Sequence, residues 1–368
     1  MAKAKIGIIG CGGVASLKHL IALKEFPDLC EMVAFCDINE DRAKSACEKY
    51  GVPGAKAYAG YEELLRDPGI DTVHVLTPNV SHSPITVAAF EAGKNVMCEK
   101  PMAHTTEAAQ AMMDAWKKSG GQFTVSYQNR FRPDSQCLHA ACEAGDLGEI
   151  YFAKAHAIRR RAVPTWGVFP DKSKQGGGPL IDIGSHALDI TLWCMGNYEV
   201  ENVTGSVFEK LGHSELAAQG NMFGAWDTEK FEVEDSAFGF IKMKNGATVF
   251  IEAAWAINMK DSREAACTLC GTKAGAEQVC GENPDGSYEL IFNETTHGKL
   301  SERKLSKSGS IAFYSSSNDG PEFTEAKQWL EALHGKGEPL VKPEQAFMVT
   351  KILDSIYQSA ATGKTIYF

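Results

Sequence analysis

Ile6–Ile9 is a short apolar run, and after it Val14, Leu17, Leu20 and Ile21 recur at helical spacing. The alternation repeats along the first third of the chain. Glu31–Cys36 reads as a second strand, followed by a polar helix from Asn39 to Tyr50 that stops at Gly51, a C-terminal cap. Ala55–Ala59 and a helix Tyr61–Arg66 form the third unit. Asp71–Leu76, a helix from Ser83 to Ala92 stopped by Gly93, and the strand Asn95–Cys98 come next. The helix Thr106–Lys118 and the strand Gln122–Tyr127 close the series. Strands alternating with helices of this length predict a parallel, doubly wound sheet.

The pattern changes after Arg132 and Pro133. A helix over 133–144 leads past Gly145 and Gly148 into a long strand-like run, Glu149–Arg160, and then an irregular stretch to Gly178. From Val200 the strands alternate in character: Val200–Glu209, Val233–Met243, Ala247–Ile257, Ala266–Leu269 and Glu289–Asn293. Such alternation predicts an antiparallel, open sheet covered on one face. The Gly-rich segment Leu211–Lys230 is long enough to be a functional loop. Two helices, Glu322–His334 and Pro343–Ala361, end the chain. The fold class is therefore α/β. A doubly wound domain is expected over 1–130, and an α+β domain with an open, mostly antiparallel sheet over 131–368. The closing helices are able to pack back on the first domain.

Composition narrows the class without naming a reaction. The 368 residues are 44% hydrophobic and 23% charged, ordinary for a globular chain long enough for two domains. A net charge of −10 argues against nucleic acid or an anionic membrane as partner. No apolar run approaches the roughly 20 residues a membrane helix needs. The first residues run into a strand with no signal-peptide core, so a cytoplasmic protein is expected. The 11 cysteines are scattered. Cys267 and Cys270, with Cys280 beyond, lack the second pair a zinc site needs, and their odd offset in a strand points them to opposite faces. No metal is expected.

Candidate chemistry gathers at strand ends. Gly10, Gly12, Gly13 and Ala15 come after the first strand and open a helix, the arrangement that lets backbone N–H groups approach a pyrophosphate. Asp37 ends the second strand 24 residues past Gly13, where an acid accepts the adenosine ribose hydroxyls and repels a 2′-phosphate. NAD is therefore expected over NADP. Thr77, Pro78 and Asn79 come after the fourth strand, and Glu99, Lys100 and Pro101 after the fifth. Ligands bind at such ends of a parallel sheet. The alternative for Glu99 is a salt bridge with a neighbour. Further on, Pro179 suits a helix start. A helix running on from it places Asp182, His186 and Asp189 on one face. A carboxylate one turn from an imidazole can fix the ring tautomer and stabilise the imidazolium. By itself the pair also fits a capped helix with a satisfied histidine.

Taken together, the Gly10–Ala15 turn, Thr77-Pro78-Asn79, Glu99-Lys100-Pro101 and the Asp182–His186 segment resemble the glucose–fructose oxidoreductase/inositol dehydrogenase (Gfo/Idh/MocA) family, in order and over essentially the whole chain. The resemblance implies an N-terminal Rossmann domain and a C-terminal domain whose open sheet mediates homo-oligomerisation. It also implies NAD(P) held between the domains and a lysine–aspartate–histidine set at the nicotinamide. Carried over, Lys100, Asp182 and His186 form the catalytic set. The cofactor set is Gly10, Gly12, Gly13, Val14, Asp37, Arg42, Thr77, Pro78, Asn79, His82, Glu99, Lys100 and Gln128. His186 is assigned as base, Asp182 as its partner or a substrate hydroxyl ligand, and Lys100 as the cation polarising the alcohol oxygen. A lysine whose pKa is lowered by burial could serve as base instead. Asp189 has no matching role.

The substrate is read from a shorter stretch. Arg159 and Arg161 end a strand on one face, and either could receive an anion or only a structural carboxylate. Trp166 and Phe169 suit a sugar ring or plain packing. Arg159, Arg161, Trp166, Asp182 and His186 make up the candidate substrate set. The Arg-rich segment, with Gly224, Ala225, Trp226 and Asp227 ahead of Val233, is similar to family members that oxidise glycosides at a ring hydroxyl, often C3. The expected activity is hydride transfer between NAD and a secondary hydroxyl of a sugar, glycoside or other cyclic polyol. The alternatives are inositol dehydrogenation, an NAD-dependent glycosidase on the same scaffold, and a non-catalytic dinucleotide-binding protein.

Overall fold

A computed structural model describes residues 2–219, 226–280, 288–305 and 320–368. Gly224 and Ala225, with the middle of the 211–230 loop, lie outside the described residues. In chain order the first elements are β1 (Ala4–Ile9), α1 (Leu20–Lys24), β2 (Cys30–Cys36), α2 (Glu40–Tyr50), β3 (Lys56–Tyr58), α3 (Tyr61–Leu65) and β4 (Thr72–Val75). Then come α4 (Asn79–Glu91), β5 (Asn95–Glu99), α5 (Thr106–Ser119) and β6 (Phe123–Ser126). The next group is α6 (Pro133–Glu143), β7 (Ile150–Ile158), α7 (Lys172–Gln175), α8 (Ser185–Met195), β8 (Val200–Phe208), β9 (Ser236–Met243), β10 (Thr248–Ala254) and β11 (Arg263–Gly271). The last are β12 (Gly275–Cys280), β13 (Tyr288–Thr296), β14 (Lys299–Leu305), α9 (Pro321–Leu333), α10 (Pro343–Thr362) and β15 (Ile366–Tyr367).

The chain divides into two units. The first runs to Phe131 and takes in 320–347 as well, so α9 belongs with the first domain's elements. The reason is apolar. Leu330 of α9 is buried in one cluster with Ile6, Leu20 and Phe35, while Phe323 and Ala326 pack on Ala22. Hydrogen bonds continue the attachment, from Gln122 Nε2 to the Ala332 carbonyl at 2.9 Å and from Thr124 Oγ1 to the Val341 carbonyl at 3.0 Å.

The sheet of this unit has the order β3-β2-β1-β4-β5-β6, with every pair parallel. All four residues of β4 and of β6 are buried, as strands covered on both faces require. Strand order reverses between β1 and β4, the position at which ligands bind outside the carboxyl ends. Helix starts are chemically marked: the Asn39 side chain accepts from the Asp41 N–H, and Thr105 accepts from Ala108. Gly51 ends α2, but in extended rather than left-handed backbone; a Cβ there would lie 2.6 Å from the Cys47 carbonyl oxygen. Helix α4 starts at Asn79, ahead of the Ser83 expected from sequence, with Pro84 inside it.

One helix face differs from the hydrophobic pattern. Leu17, expected inward, is 52% exposed, whereas Lys18 is buried. Residues Ala15–His19 form a π-turn ahead of α1. The wider turn accommodates one extra residue, so the inward face passes from Leu17 to Lys18 and His19.

The second unit is built on a nine-stranded mixed sheet, order β14-β13-β12-β11-β7-β10-β9-β8-β15. β7 and β10 are parallel, and the other pairs are antiparallel. The sequence pattern missed β12 and β14; the latter, Lys-Leu-Ser-Glu-Arg-Lys-Leu, is exposed at most positions and carries no alternation. Ala153, Ala155 and Ala157 of β7 are fully buried, and these small side chains admit α8 onto the sheet. Helix α6 meets α8 through His139 stacked on Trp193, with ring centroids 3.9 Å apart. Among the described residues no helix is long and apolar enough to cross a membrane, and no group of three His, Cys, Asp or Glu could hold a metal.

Candidate functional site

In the first unit, parallel register aligns the strand ends, so Gly10, Asp37, Thr77, Lys100 and Gln128 all lie just past carboxyl ends of one sheet. Gly10 has φ +95°, and a Cβ there would meet the Leu76 carbonyl oxygen at 2.5 Å, so only glycine lets the turn cross β4. A Cβ at Gly12 or Gly13 would meet nothing within 4 Å. Bare backbone therefore faces open space at a helix N-terminus, beginning with Val14 in helical geometry. Asp37 accepts the Cys11 N–H on Oδ2 and the Asn39 N–H on Oδ1, both at 2.8 Å. Each oxygen keeps a further lone pair. Ile38 beside it is 99% exposed, and Arg42 lies exposed in the first turn of α2. These residues fit a dinucleotide: N–H groups for a pyrophosphate, a carboxylate for a ribose diol.

Thr77 and Pro78 are half-buried and Asn79 opens α4. Buried His82 is committed inside the protein. Its Nδ1 faces the Pro101 carbonyl and its Nε2 the Thr77 carbonyl, both at 2.8 Å, tying the segments after β4 and β5. Burial lowers its pKa against the pull of the two carbonyls.

Glu99 is the centre of a buried polar cluster, the salt-bridge role weighed from sequence, with partners that the sequence did not name. Lys18 Nζ lies 2.8 Å from Glu99 Oε1 and 3.0 Å from Glu325 Oε2. His19 Nε2 is 2.8 Å from Glu99 Oε1, and His19 Nδ1 is 3.2 Å from His74 Nδ1. Burial pulls the Lys18 ammonium down, but Glu325 and Glu99 outweigh it and hold its pKa above the usual lysine range. Burial likewise pushes the Glu99 carboxyl up, yet Lys18 and the His19 hydrogen bond hold it well below the usual carboxylate range. Burial keeps His19 and His74 below the ordinary imidazole value. With His19 neutral, its Nε2–H donates to Glu99 and Nδ1 accepts from His74. Glu99 Oε2 in turn accepts the Lys100 backbone N–H at 3.0 Å. The half-buried Lys100 thus stands on a fixed strand end.

In the second unit, Gly176–Gly178 is a close approach rather than a flexible hinge. A Cβ on Gly177 would lie 2.2 Å from Tyr357 Oη, and one on Gly178 2.3 Å from the Glu234 carbonyl oxygen. Buried Glu234 fastens the start of the next helical turn, accepting from the N–H groups of Gly178 at 2.8 Å and Leu180 at 3.1 Å and from Tyr357 Oη at 2.7 Å. Burial pushes the Glu234 carboxyl up against these bonds. Pro179 caps the start, and Asp182 lies in a second π-turn, Leu180–Gly184, continuous with α8. Asp182, His186 and Asp189 are all buried. Trp255 Nε1 donates to Asp182 Oδ2 at 3.2 Å.

The two arginines are used by the protein itself. Arg159 makes a bidentate pair with Glu264, 2.5 Å at both contacts, which overcomes burial and holds its pKa above the usual value. Its fork therefore meets a structural carboxylate, and nothing in its geometry favours a substrate anion. Arg161 donates to the carbonyls of Arg160 at 2.7 Å and Ile257 at 2.8 Å and to the Asn258 side chain. Trp166 is 40% exposed and packs edge-on against Phe169 at 5.3 Å.

The model of an oxidoreductase family with an NAD-binding Rossmann fold (GFO_IDH_MocA) matches residues 4–127, and that of the family's C-terminal α/β domain matches 140–368. The chain belongs to this family. Among its Gfo/Idh/MocA relatives, the D-glucoside 3-dehydrogenase of Escherichia coli (strain K12) is 35% identical over 363 residues, covering 98% of this chain and 97% of its own. A myo-inositol 2-dehydrogenase of Thermotoga maritima is 30% identical over 67% of each chain. A levoglucosan dehydrogenase solved with NADH and levoglucosan superposes with TM-score 0.82 at 22% identity, covering 100% of this chain and 99% of that one, a likeness of fold.

Proposed function

We propose that the protein is an NAD-dependent dehydrogenase that oxidises one secondary ring hydroxyl of a sugar or glycoside, with C3 of a glucoside as the specific reading. The observation that carries this is the end-to-end relationship to D-glucoside 3-dehydrogenase. Main-chain N–H groups at Gly12 and Gly13 would hold the pyrophosphate and Asp37 the ribose, which favours NAD over NADP. When bound, NAD supplies the acceptor for the hydride leaving the carbinol carbon. His186 takes the hydroxyl proton; an imidazole, titrating near ~6.5 in water, is matched to that task. Asp182 orients the ring and stabilises the imidazolium. Lys100 polarises the hydroxyl oxygen, its main chain held by Glu99.

The experiment is an absorbance screen for NADH across free hexoses, O- and C-glycosides, sugar acids, sugar phosphates and inositols, with NMR of any product. A 3-keto product from a glucoside is expected. Turnover restricted to inositols would favour the cyclitol reading suggested by the myo-inositol relative. Release of free sugar without net NADH would favour a glycosidase. The open sheet face carries Phe208 and Phe240, 40% and 49% exposed, which supports a homo-oligomer through that face, to be checked by molar mass in solution.

A further inference from the structure

We propose that Trp255 is a positioning residue for Asp182, and that it links the Asp182 carboxylate to the loops carrying Trp166 and Trp226. The proposal rests on the role given to Asp182 in the proposed reaction. Trp255 comes directly after β10 and is fully buried. An indole N–H only donates, and leaving such a donor unmet in the interior costs about 1–3 kcal/mol. Asp182 Oδ2 meets it at 3.2 Å. The bond fixes one carboxylate oxygen and favours the ionised acid that a neighbouring imidazolium requires.

Trp255 is held at its backbone and at two edges of its ring. Its backbone N–H donates to the Asp235 carbonyl at 2.9 Å, and its carbonyl accepts from Ala162 N–H at 2.8 Å. Phe169 and Phe231 meet its ring edge-on, at 6.4 and 6.5 Å. Phe169 carries Trp166 at 5.3 Å, while Phe231 carries Trp226 at 6.0 Å and His213 at 5.7 Å. The base of the second loop is pinned by buried Asp235, whose Oδ2 accepts the consecutive N–H groups of Lys210, Leu211 and Gly212. Aromatic edge contacts of this kind are directional and resist rotation of the ring. Trp255 therefore connects the rings of Trp166 and Trp226 to Asp182, whose carboxylate also lies in the field of the Arg159 guanidinium.

Trp255→Phe removes the donor and keeps an aromatic ring. In the holoenzyme, kcat should fall at least about tenfold with Kd for NAD unchanged. The acid limb of the pH profile of kcat/KM, set by the His186 base, should move to higher pH, because a carboxylate that loses a donor stabilises the neighbouring imidazolium more strongly. A kcat within threefold of wild type and an unmoved limb, while Asp182→Asn abolishes turnover, would overturn the positioning role. Normal turnover by Asp182→Asn would instead overturn the reading of Asp182 itself. Should Trp255→Phe fail to fold, Phe231→Leu loosens the indole from one side and leaves the donor in place. Its acid limb should move the same way by less, and an unmoved limb would again count against the proposal.

Discussion

Lys18→Met removes the cation from the buried cluster beneath the Glu99–Lys100 strand end. Lys18, Glu99 and Glu325 side chains are 3%, 7% and 4% exposed, so water cannot replace the missing ammonium. Both carboxylates touch Nζ, at 2.8 and 3.0 Å. Without it, two acids face each other within about 6 Å, a repulsion of about 3 kcal/mol at an effective dielectric of about 20. Breaking a buried pair by deleting one partner costs about 3–5 kcal/mol in measured cases, consistent with that figure. For a unit of this size the melting temperature should fall by roughly 6–20 °C. The sign with pH comes from Glu99, whose folded pKa is held well below its usual range. Its stabilisation is present above the unfolded value near ~4.3 and is lost as pH falls through the folded value. In the variant the repulsion requires both acids to be ionised, so the penalty grows as pH rises. The deficit against wild type should therefore be largest near pH 8 and shrink toward pH 5. Calorimetric scans of both proteins at the two pH values measure this. A variant melting within about 2 °C of wild type at pH 8, well short of the roughly 6 °C minimum expected, would refute the reasoning.

Other outcomes follow from the same geometry. Lys100→Met should lose turnover by about 100-fold or more, the scale of a positioned catalytic group, while NAD affinity by calorimetric titration stays near wild type. Tyr357→Phe deletes the 2.7 Å donor to Glu234 and should cost about 1–3 kcal/mol in chemical denaturation. Glu234 already has a raised folded pKa, so its contribution is present at low pH and lost as pH rises, and the Tyr357→Phe deficit should widen from pH 5 to pH 8. Kinetics with both cofactors should favour NAD by at least about tenfold, and Asp37→Ala should narrow the gap; a clear NADP preference would count against the role of Asp37.

Much of the architecture was legible in the pattern of residues. Period-two and period-3.6 hydrophobicity located the alternating strands and helices, and the glycine turn with Asp37 marked the edge where they end. Those signals are local, set by backbone geometry within a few residues. Whatever depends on a partner far along the chain was not legible. Leu17 and Lys18 exchange places because a π-turn adds one residue to a helix, and the reward for burying Lys18 is Glu325, more than 300 positions away. Spacing leaves Arg159 open to a substrate anion or a structural carboxylate, and only the fold puts Glu264 on its fork. Gly177 and Gly178 end a stretch with no sequence pattern, and only the fold shows that Tyr357 and Glu234 close on them. Sequence determined which acids, bases and cations stand at the strand ends and in the Asp182–His186 segment, since residue type fixes pKa class. Only the tertiary structure decided which charges are compensated, because burial makes each one depend on neighbours that spacing along the chain does not reveal.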